Sequence, residues 1–229
     1  LTGDQFWPLL AGACLVMTGP ETCRNRDYLI DLMIEQKVTI AGFTPSFFSL
    51  LLKEGGFESG NSLRRIILSG EPLCRPLWDR SLACLKADLY NLYRVTEASG
   101  AVVTQIYNLR PGAEPTPVGR PLDNTQIYLL DAHLQPVPAR VAGEVWISGE
   151  GLARGYAGRP DLTAENLIPN PFSDDPGGRM FRTGDLARHL PDGEIEVLTR
   201  SQHQIDLKLG RIDPVVVQWG LMEYPGGYQ

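Results

Sequence analysis

The N-terminal half of the sequence alternates amphipathic segments with short, continuously apolar runs, and this alternation constrains the fold more than any other feature. Apolar residues in 27–36 recur at helical spacing. Pro45 suits the first turn of a second helix, because a proline there loses no hydrogen bond. Continuously apolar strands between helices are typical of a parallel sheet that helices cover on both faces. We therefore predict helices at 6–12, 27–36, 46–53 and 76–85, and buried strands at 13–17, 38–43, 65–68 and 88–93.

The pattern changes near Asn108, where prolines become frequent and the apolar runs shorten and alternate with polar residues. Runs at 126–130, 144–148 and 195–198 are separated by turn signals, a spacing typical of an antiparallel sheet or small barrel. The predicted fold class is therefore α/β. It comprises a parallel-sheet α/β layer (1–108), a small antiparallel β-barrel subdomain (109–199), and a hinge with the start of a C-terminal α+β subdomain (200–229). In that last unit we expect a strand at 205–208, a turn at Gly210 and Arg211, and a helix at 213–223.

Polar residues follow two of the predicted parallel strands, at the carboxyl ends where ligands collect in such sheets. Ser69, Gly70 and Glu71 follow one strand, and Gly70 permits close backbone approach to a flat ligand. Thr96 and Glu97 follow another, and their hydroxyl and carboxylate suit a phosphate-bound Mg²⁺, which prefers oxygen ligands. Thr and Glu are equally favoured at the start of a helix, so both interpretations of this pair stay open.

A Thr-Gly-Asp turn is predicted at 183–185, inside the stretch Phe-Arg-Thr-Gly-Asp-Leu. Gly184 can adopt backbone angles that other residues resist, so it places Asp185 on a tight bend. A carboxylate held in this way suits hydrogen bonds from a vicinal diol such as a ribose. A surface turn is the plainer interpretation of so short a motif. Further motifs, which are described below, lie on both sides of this stretch at matching distances and favour the ligand site.

Composition and charge narrow the function classes. The net charge of −6 argues against nonspecific binding to nucleic acids or anionic membranes. No apolar run reaches the ~18 residues of a membrane span, and the N-terminus lacks the pattern of a signal peptide. Because the sequence begins with Leu1 and its cysteines lack metal-ligand spacing, we expect an internal piece of a longer cytoplasmic protein. The histidines, His133, His189 and His203, have no partner spacing and are expected at the surface.

These segments together resemble the adenylate-forming (AMP-binding) enzymes and, among them, the amino-acid adenylation domains of nonribosomal peptide synthetases. The stretch Gly-Glu-Val-Trp-Ile-Ser-Gly-Glu-Gly-Leu-Ala-Arg-Gly-Tyr at 143–156 is similar to a family signature. Asn-Leu-Tyr-Arg-Val-Thr-Glu at 91–97 resembles the family's Asn-x-Tyr-Gly-x-Thr-Glu, and 181–186 resembles Tyr-Arg-Thr-Gly-Asp-Leu. The resemblance covers essentially the whole chain, with further similar segments at 121–125, 159–165 and 190–193.

The resemblance implies an activity, its cofactors and its partners. Such enzymes activate a carboxylic acid, usually an amino acid, with ATP and Mg²⁺ to give an acyl-adenylate and pyrophosphate. They then transfer the acyl group to a phosphopantetheine thiol on a carrier protein. The implied partners are therefore an amino acid or other small carboxylic acid, the carrier protein and neighbouring synthetase domains, but no nucleic acid and no membrane.

The resemblance also implies roles for individual residues. Asp185 is expected to bind the ribose hydroxyls with Arg200 beside it, and Tyr93 to stack on adenine. Asn91 is expected to border the base together with Ser69, Gly70 and Glu71. The implied catalytic residues are Thr96, which contacts the α-phosphate, and Glu97, which holds Mg²⁺. The implied acid pocket is small or apolar and comprises Gly3, Gly42, Ile67, Ser69, Leu92, Gly100 and Ala101.

Several residues depart from the family pattern. Arg94 and Val95 stand where the family has Gly and a small residue or Pro, and Gln202 stands at the expected hinge aspartate. Asp206 and Leu209 replace a Lys and a Gly. Because the family's phosphate loop and catalytic lysine are expected outside these residues, we expect no turnover by this chain alone. Two alternatives stay open: an acyl- or aryl-CoA synthetase of the same superfamily, and a nucleotide-binding remnant without chemistry.

Overall fold

A computed structural model describes residues 2–19, 25–54, 62–106, 117–200, 205–207 and 210–212; for 2–5, 100–106, 199–200 and the two last ranges it describes the backbone only. The helices are α1 (Thr2–Leu10), α2 (Arg26–Glu35), α3 (Pro45–Glu54), α4 (Arg75–Cys84) and α5 (Pro160–Asn166), with a 3₁₀ turn at Thr96–Ala98. The strands of the first sheet are β1 (Ile40–Phe43), β2 (Arg65–Ser69), β3 (Asp88–Val95), β4 (Gly100–Ile106) and β5 (Arg120–Pro121).

The first sheet is mixed, with the strand order β1-β2-β3-β4-β5. The pairs β1–β2 and β2–β3 are parallel, which confirms the predicted parallel layer, whereas β4 pairs antiparallel with β3. Helices α3 and α4 connect the parallel strands, as the alternation of the sequence requires. The predicted helices at 27–36, 46–53 and 76–85 and the strands at 38–43, 65–68 and 88–93 are confirmed, with shifted ends.

Helices α2, α3 and α4 share one core with the buried side chains of this sheet. Asn25 caps α2 by accepting a hydrogen bond from the N–H of Tyr28 at 3.1 Å. The core contains Phe48 of α3 and Trp78 of α4, which are 0% and 2% exposed. From the sheet it takes Ile66, Leu68 and Leu89, together with further apolar residues between Ile30 and Ala87.

One prediction about this sheet is wrong. We expected both faces to be covered, but burial alternates along β2 and β3, so that every second residue is only half-buried or exposed. Ile40 of β1 is 48% exposed. Within the described residues, the sheet therefore has one face in the helical core and one open face. Continuous apolar composition did not distinguish these two cases, because Ile67 and Leu92 are apolar but lie on the open face.

The second sheet is antiparallel, as predicted, and consists of β6 (Thr125–Leu130), β7 (Gly143–Gly149), β8 (Leu167–Pro169), β9 (Arg179–His189) and β10 (Ile195–Arg200). The strand order is β10-β9-β7-β6, and β8 pairs with β9. In the described part of the chain this is an open sheet, because β6 and β10 do not pair with each other. Its core contains Val145, Ile147, Phe181 and Ile195 together with Tyr93 and Val95 of the first sheet.

The N-terminal predictions are partly wrong. A helix is present, as α1, but it is not buried: Phe6 and Trp7 are 55% and 45% exposed. Residues 13–17 form no strand, and Met17 is 72% exposed. Apolar composition identified segments that are able to be buried, whereas burial itself depends on what packs against them.

At the C-terminal end, strands β11 (Ile205–Leu207) and β12 (Gly210–Ile212) form an antiparallel pair. Gly210 and Arg211 therefore lie in a strand and not in the predicted turn, because Gly210 pairs with Leu207. The predicted helix at 213–223, and also Gln202, His203 and Leu209, lie outside the described residues. The domain boundaries at 108 and 199 stay predictions. None of the helices in the described ranges combines the length and apolarity that crossing a bilayer demands.

Candidate functional site

Asp185 lies in a β-bulge within strand β9, where a Thr-Gly-Asp turn was predicted. Along the pair β7–β9, Leu186 faces Glu144 and Arg182 faces Trp146, so residues 183–185 together oppose Val145. Gly184 has φ +73°, a left-handed conformation that favours glycine. The Thr183 hydroxyl donates to the Val145 carbonyl at 2.8 Å and accepts from the Asp185 N–H at 3.1 Å. The Thr-Gly-Asp sequence thus encodes the bulge and redirects Asp185.

The redirected Asp185 carboxylate meets Tyr93 of the first sheet. The Tyr93 hydroxyl donates a short hydrogen bond to Asp185 Oδ2, across 92 positions of sequence. Asp185 is 1% exposed and Tyr93 is 6% exposed, so this contact is buried between the two sheets. Protein groups therefore cover the Asp185 carboxylate in this structure.

Asn91 and Arg200 are on the strands that carry or adjoin this pair, β3 and β10. Asn91 is on the same face of β3 as Tyr93, is 4% exposed, and donates from Nδ2 to the Pro117 carbonyl at 3.3 Å. Arg200 is the register partner of Asp185 on β10, as expected, but its side chain lies outside the described part. Tyr93 packs in the second core, and its expected role of stacking on adenine stays a prediction.

Arg182, the residue before this bulge, is structural. Its Nε donates to Glu144 Oε1 at 2.8 Å, and its guanidinium lies 6.0 Å from the centre of the Trp146 ring. The hydrogen bond with Glu144 raises the pKa of Arg182 above its usual value. The pair is partly exposed and fixes the strand pairing next to the bulge.

Thr96 and Glu97 form the 3₁₀ turn that follows β3, so the two interpretations of this pair, helix start and ligand site, are compatible. Thr96 is exposed and Glu97 is half-buried. The Tyr156 hydroxyl donates to Glu97 Oε1 at 2.8 Å. Burial first, and the hydrogen bond with Glu97 second, raise the pKa of Tyr156 well above its usual range, so Tyr156 keeps its proton and acts as the donor.

Four of the predicted acid-pocket residues share the open face of the first sheet. Gly42 faces Ile67 in the pair β1–β2, and Ser69 faces Leu92 in the pair β2–β3. Facing residues of neighbouring strands project to the same side, and residues two apart on a strand share a face. These four residues therefore form one row, and Arg94, which is half-buried, continues it on β3. Ala101 is the register partner of Arg94, whereas Gly100 is that of Val95, which is buried on the other face. The pocket roles of Gly100, Ala101 and Gly3, which lies in α1, stay predictions.

The loop after β2 contains Glu71, whose carboxylate contacts helix α3. The Glu71 carboxylate accepts hydrogen bonds from the N–H of Ser46 at 2.8 Å and from its hydroxyl at 2.7 Å. Glu71 therefore caps α3, where a negative charge at a helix N-terminus is favourable. Ser69 ends β2 half-buried and Gly70 is exposed, so these two remain available to border a ligand.

Sequence reasoning missed two residues that shape this site. Tyr156 contacts Glu97, and Arg179 donates to the Ala153 and Arg154 carbonyls at 3.1 and 2.9 Å. Arg179 therefore anchors the backbone of the loop that follows β7. The signal for Tyr156 was present, since it ends the signature at 143–156.

The oxygen atoms at the turn suit Mg²⁺ in one particular way. No group of three or more His, Cys, Asp or Glu side chains comes together in the described ranges, so these side chains do not form an all-protein metal cage there. Mg²⁺ commonly takes one or two carboxylates and completes its shell with phosphates and water. The Glu97 carboxylate beside the Thr96 hydroxyl fits that donor set.

Comparison with known proteins agrees with this geometry. The family model described as AMP-binding enzyme matches residues 1–157. Phosphinothricin tripeptide synthetase PhsB of Streptomyces viridochromogenes is 44% identical over 211 residues, which are 92% of this chain and 18% of PhsB. The structure of PA1221, an NRPS protein containing adenylation and PCP domains, is 26% identical with a TM-score of 0.75, over 88% of this chain and 41% of that one. NpsA-ThdA, a fused adenylation-PCP di-domain from Klebsiella oxytoca, is 25% identical with a TM-score of 0.80, over 96% of this chain and 41% of that one.

The chain thus spans less than half the length of the proteins that it matches. The matched region includes β1 to β4, the turn with Glu97 and the signature that ends at Tyr156. Sequence motifs, strand order and family match agree, and the chain belongs to the AMP-binding enzyme family.

Proposed function

We propose that this chain is part of an adenylation domain that activates an amino-acid carboxylate with ATP and passes the acyl group to a phosphopantetheine thiol on a carrier protein. The observation that carries the proposal is the hydrogen bond from Tyr93 to Asp185. Two motifs that the resemblance assigns to the nucleotide come from different sheets, and their polar atoms meet. A structural role alone does not require a carboxylate that is 1% exposed at this junction.

In the proposed mechanism, Asp185 accepts hydrogen bonds from the ribose hydroxyls in place of the one from Tyr93. This exchange keeps the buried carboxylate hydrogen-bonded, which its burial requires. It also means that nucleotide binding includes a movement at the junction of the two sheets. Asn91 and the loop with Ser69 and Gly70 border the base.

The reacting groups meet beyond the end of β3. An oxygen of the substrate carboxylate attacks the α-phosphorus, the bond from that phosphorus to pyrophosphate breaks, and pyrophosphate leaves with the bonding electron pair. Thr96 donates to an α-phosphate oxygen, and Glu97 would hold Mg²⁺, which would neutralise charge on the phosphates when bound. Catalysis of this kind depends on positioning and on electrostatic stabilisation.

The row on the open face lies on the side from which the acid substrate enters. Gly42, Ser69 and Leu92 are small or apolar, which suits an uncharged substrate side chain. In the second step, the carrier thiol sulfur forms a bond to the acyl carbon, and AMP leaves. PA1221 and NpsA-ThdA each combine adenylation and PCP domains, which supports a carrier protein as the acceptor.

Pyrophosphate exchange into ATP tests the proposal. The protein encoded by the complete reading frame is assayed with a panel of amino acids, with Asp185→Asn and Glu97→Gln beside it. We expect exchange that depends on one or a few amino acids and falls by at least about a hundredfold in each variant, since each removes a charged contact to the transition state. Hydroxamate trapping then identifies the substrate.

The acceptor distinguishes the proposal from its alternatives. Transfer to a phosphopantetheinyl carrier protein is expected, whereas efficient transfer to free CoA would instead indicate an acyl- or aryl-CoA synthetase. ATP binding without exchange for any acid would indicate a non-catalytic remnant. The 229-residue chain itself is expected to show no exchange.

A further inference from the structure

Tyr156 lies in the loop between β7 and α5, residues 150–159, which is attached to the turn carrying Glu97. The Ala153 N–H donates to the Glu97 carbonyl at 2.7 Å, and the Ser99 hydroxyl donates to the Gly151 carbonyl at 2.6 Å. The approach is close, because a Cβ on Gly151 would lie 3.1 Å from the Ala98 carbonyl oxygen. Loop and turn are therefore joined by one backbone hydrogen bond, by one from the Ser99 side chain and by close packing at Gly151.

The Tyr156 hydroxyl is not needed for that attachment. Besides its contacts with the turn, the loop is held by the two hydrogen bonds from Arg179. Tyr156 itself is fixed from the other side, since its N–H donates to Thr163 Oγ1 at 2.9 Å and Thr163 Oγ1 donates to the Arg159 carbonyl at 2.9 Å. The backbone of Tyr156 is thus held by Thr163. Among the contacts described, the Tyr156 hydroxyl bonds only to the Glu97 carboxylate.

We propose that Tyr156 is a positioning residue that orients the Glu97 carboxylate for the Mg²⁺ that accompanies the nucleotide. This inference rests on the proposed function. A donor on Oε1 fixes the rotation of the carboxylate and leaves Oε2 for the metal. Glu97 then loses less conformational freedom when Mg²⁺ binds. Partners that hydrogen-bond a metal-ligating group from outside typically change metal affinity by about 10- to 100-fold.

The test uses the protein encoded by the complete reading frame and measures binding rather than turnover. Isothermal titration calorimetry gives the affinity for ATP with excess Mg²⁺ and with EDTA. The readout is the first affinity divided by the second, which we call the Mg²⁺ ratio. The variant Tyr156→Phe removes one hydroxyl and keeps the ring. Tyr128→Phe is the matched control, because the Tyr128 hydroxyl accepts from Asn170 Nδ2 at 3.3 Å in another part of the second sheet. Glu97→Gln defines complete loss.

We expect Tyr156→Phe to lower the Mg²⁺ ratio by roughly tenfold, and Tyr128→Phe to keep the wild-type ratio. A purely structural role of Tyr156 would lower both affinities together and leave the ratio unchanged, which overturns this inference while the proposed function stands. If the unsubstituted protein binds ATP equally with and without Mg²⁺, the inference also fails. If it binds no ATP at all, the proposed function fails first and this inference with it. Thermal unfolding of each variant verifies that it is folded.

Discussion

The Tyr93 hydroxyl donates a hydrogen bond to the Asp185 carboxylate, and this bond joins the two sheets at a buried position. Removing the donor leaves a charged acceptor with one partner fewer in an environment that water does not reach. We predict that Tyr93→Phe lowers the free energy of unfolding by about 1.5–3 kcal/mol, the range for a hydrogen bond to a charged group. Urea denaturation of the chain measures it. A loss below about 0.5 kcal/mol, typical of a surface change, would mean that the bond has no structural weight.

Gly184 permits the bulge that turns Asp185 toward Tyr93. With φ at +73°, an alanine at this position is strained, and we predict that Gly184→Ala costs about 1–2 kcal/mol. Gly177→Ala is the matched control, because a Cβ there meets only Asp175 Oδ1, at an ordinary 3.7 Å. Equal stability of the two variants in urea denaturation would contradict the bulge.

Substitution of Glu71 distinguishes a structural role of its carboxylate from a role in binding the nucleotide base. Its two hydrogen bonds to Ser46 cap α3, so we predict that Glu71→Gln lowers the free energy of unfolding by about 1 kcal/mol, as loss of a helix cap does. If Glu71 instead binds the nucleotide base, the substitution would leave stability unchanged and weaken ATP binding. Chemical denaturation and calorimetry of the same variant distinguish these two outcomes.

We expect His189 to make the stability of the folded chain depend on pH. It is half-buried at the end of β9, and burial lowers its pKa below the usual 6.5. The unfolded chain therefore binds a proton more readily than the folded chain, and stability falls as the pH drops through about 6.5 and below. We predict that the melting temperature of His189→Gln decreases less between pH 7.5 and 5.5 than that of the unsubstituted chain. Parallel decreases would show that His189 does not contribute.

The sequence was sufficient for the features that local chemistry determines. Pro45 and the helical spacing of 27–36 predicted α3 and α2, because capping and amphipathicity act within a few residues. The order of the motifs was enough to predict the family. The Thr-Gly-Asp stretch predicted an unusual backbone, although it could not distinguish a turn from a bulge, which depends on the pairing with β7 and β10.

Properties that depend on distant partners were beyond the sequence. Apolar residues at 13–17 and in α1 predicted burial, but nothing in the described ranges buries Met17 or Phe6. The contact of Tyr156 with Glu97 spans 59 positions, so no local pattern reveals it. Tyr93 is likewise buried because it packs with residues of the second sheet. The sequence motif at 91–97 did not predict this burial.

Binding of ATP compared with 2′,3′-dideoxy-ATP, measured by calorimetry on the protein encoded by the complete reading frame and on its Asp185→Asn variant, tests the central claim most directly. If Asp185 holds the ribose, loss of both hydroxyls weakens binding to the unsubstituted protein by more than about tenfold, because each bonds a charged acceptor. The two ligands then bind Asp185→Asn with nearly equal affinity. Equal affinities for the unsubstituted protein, or no binding of ATP, would contradict the account.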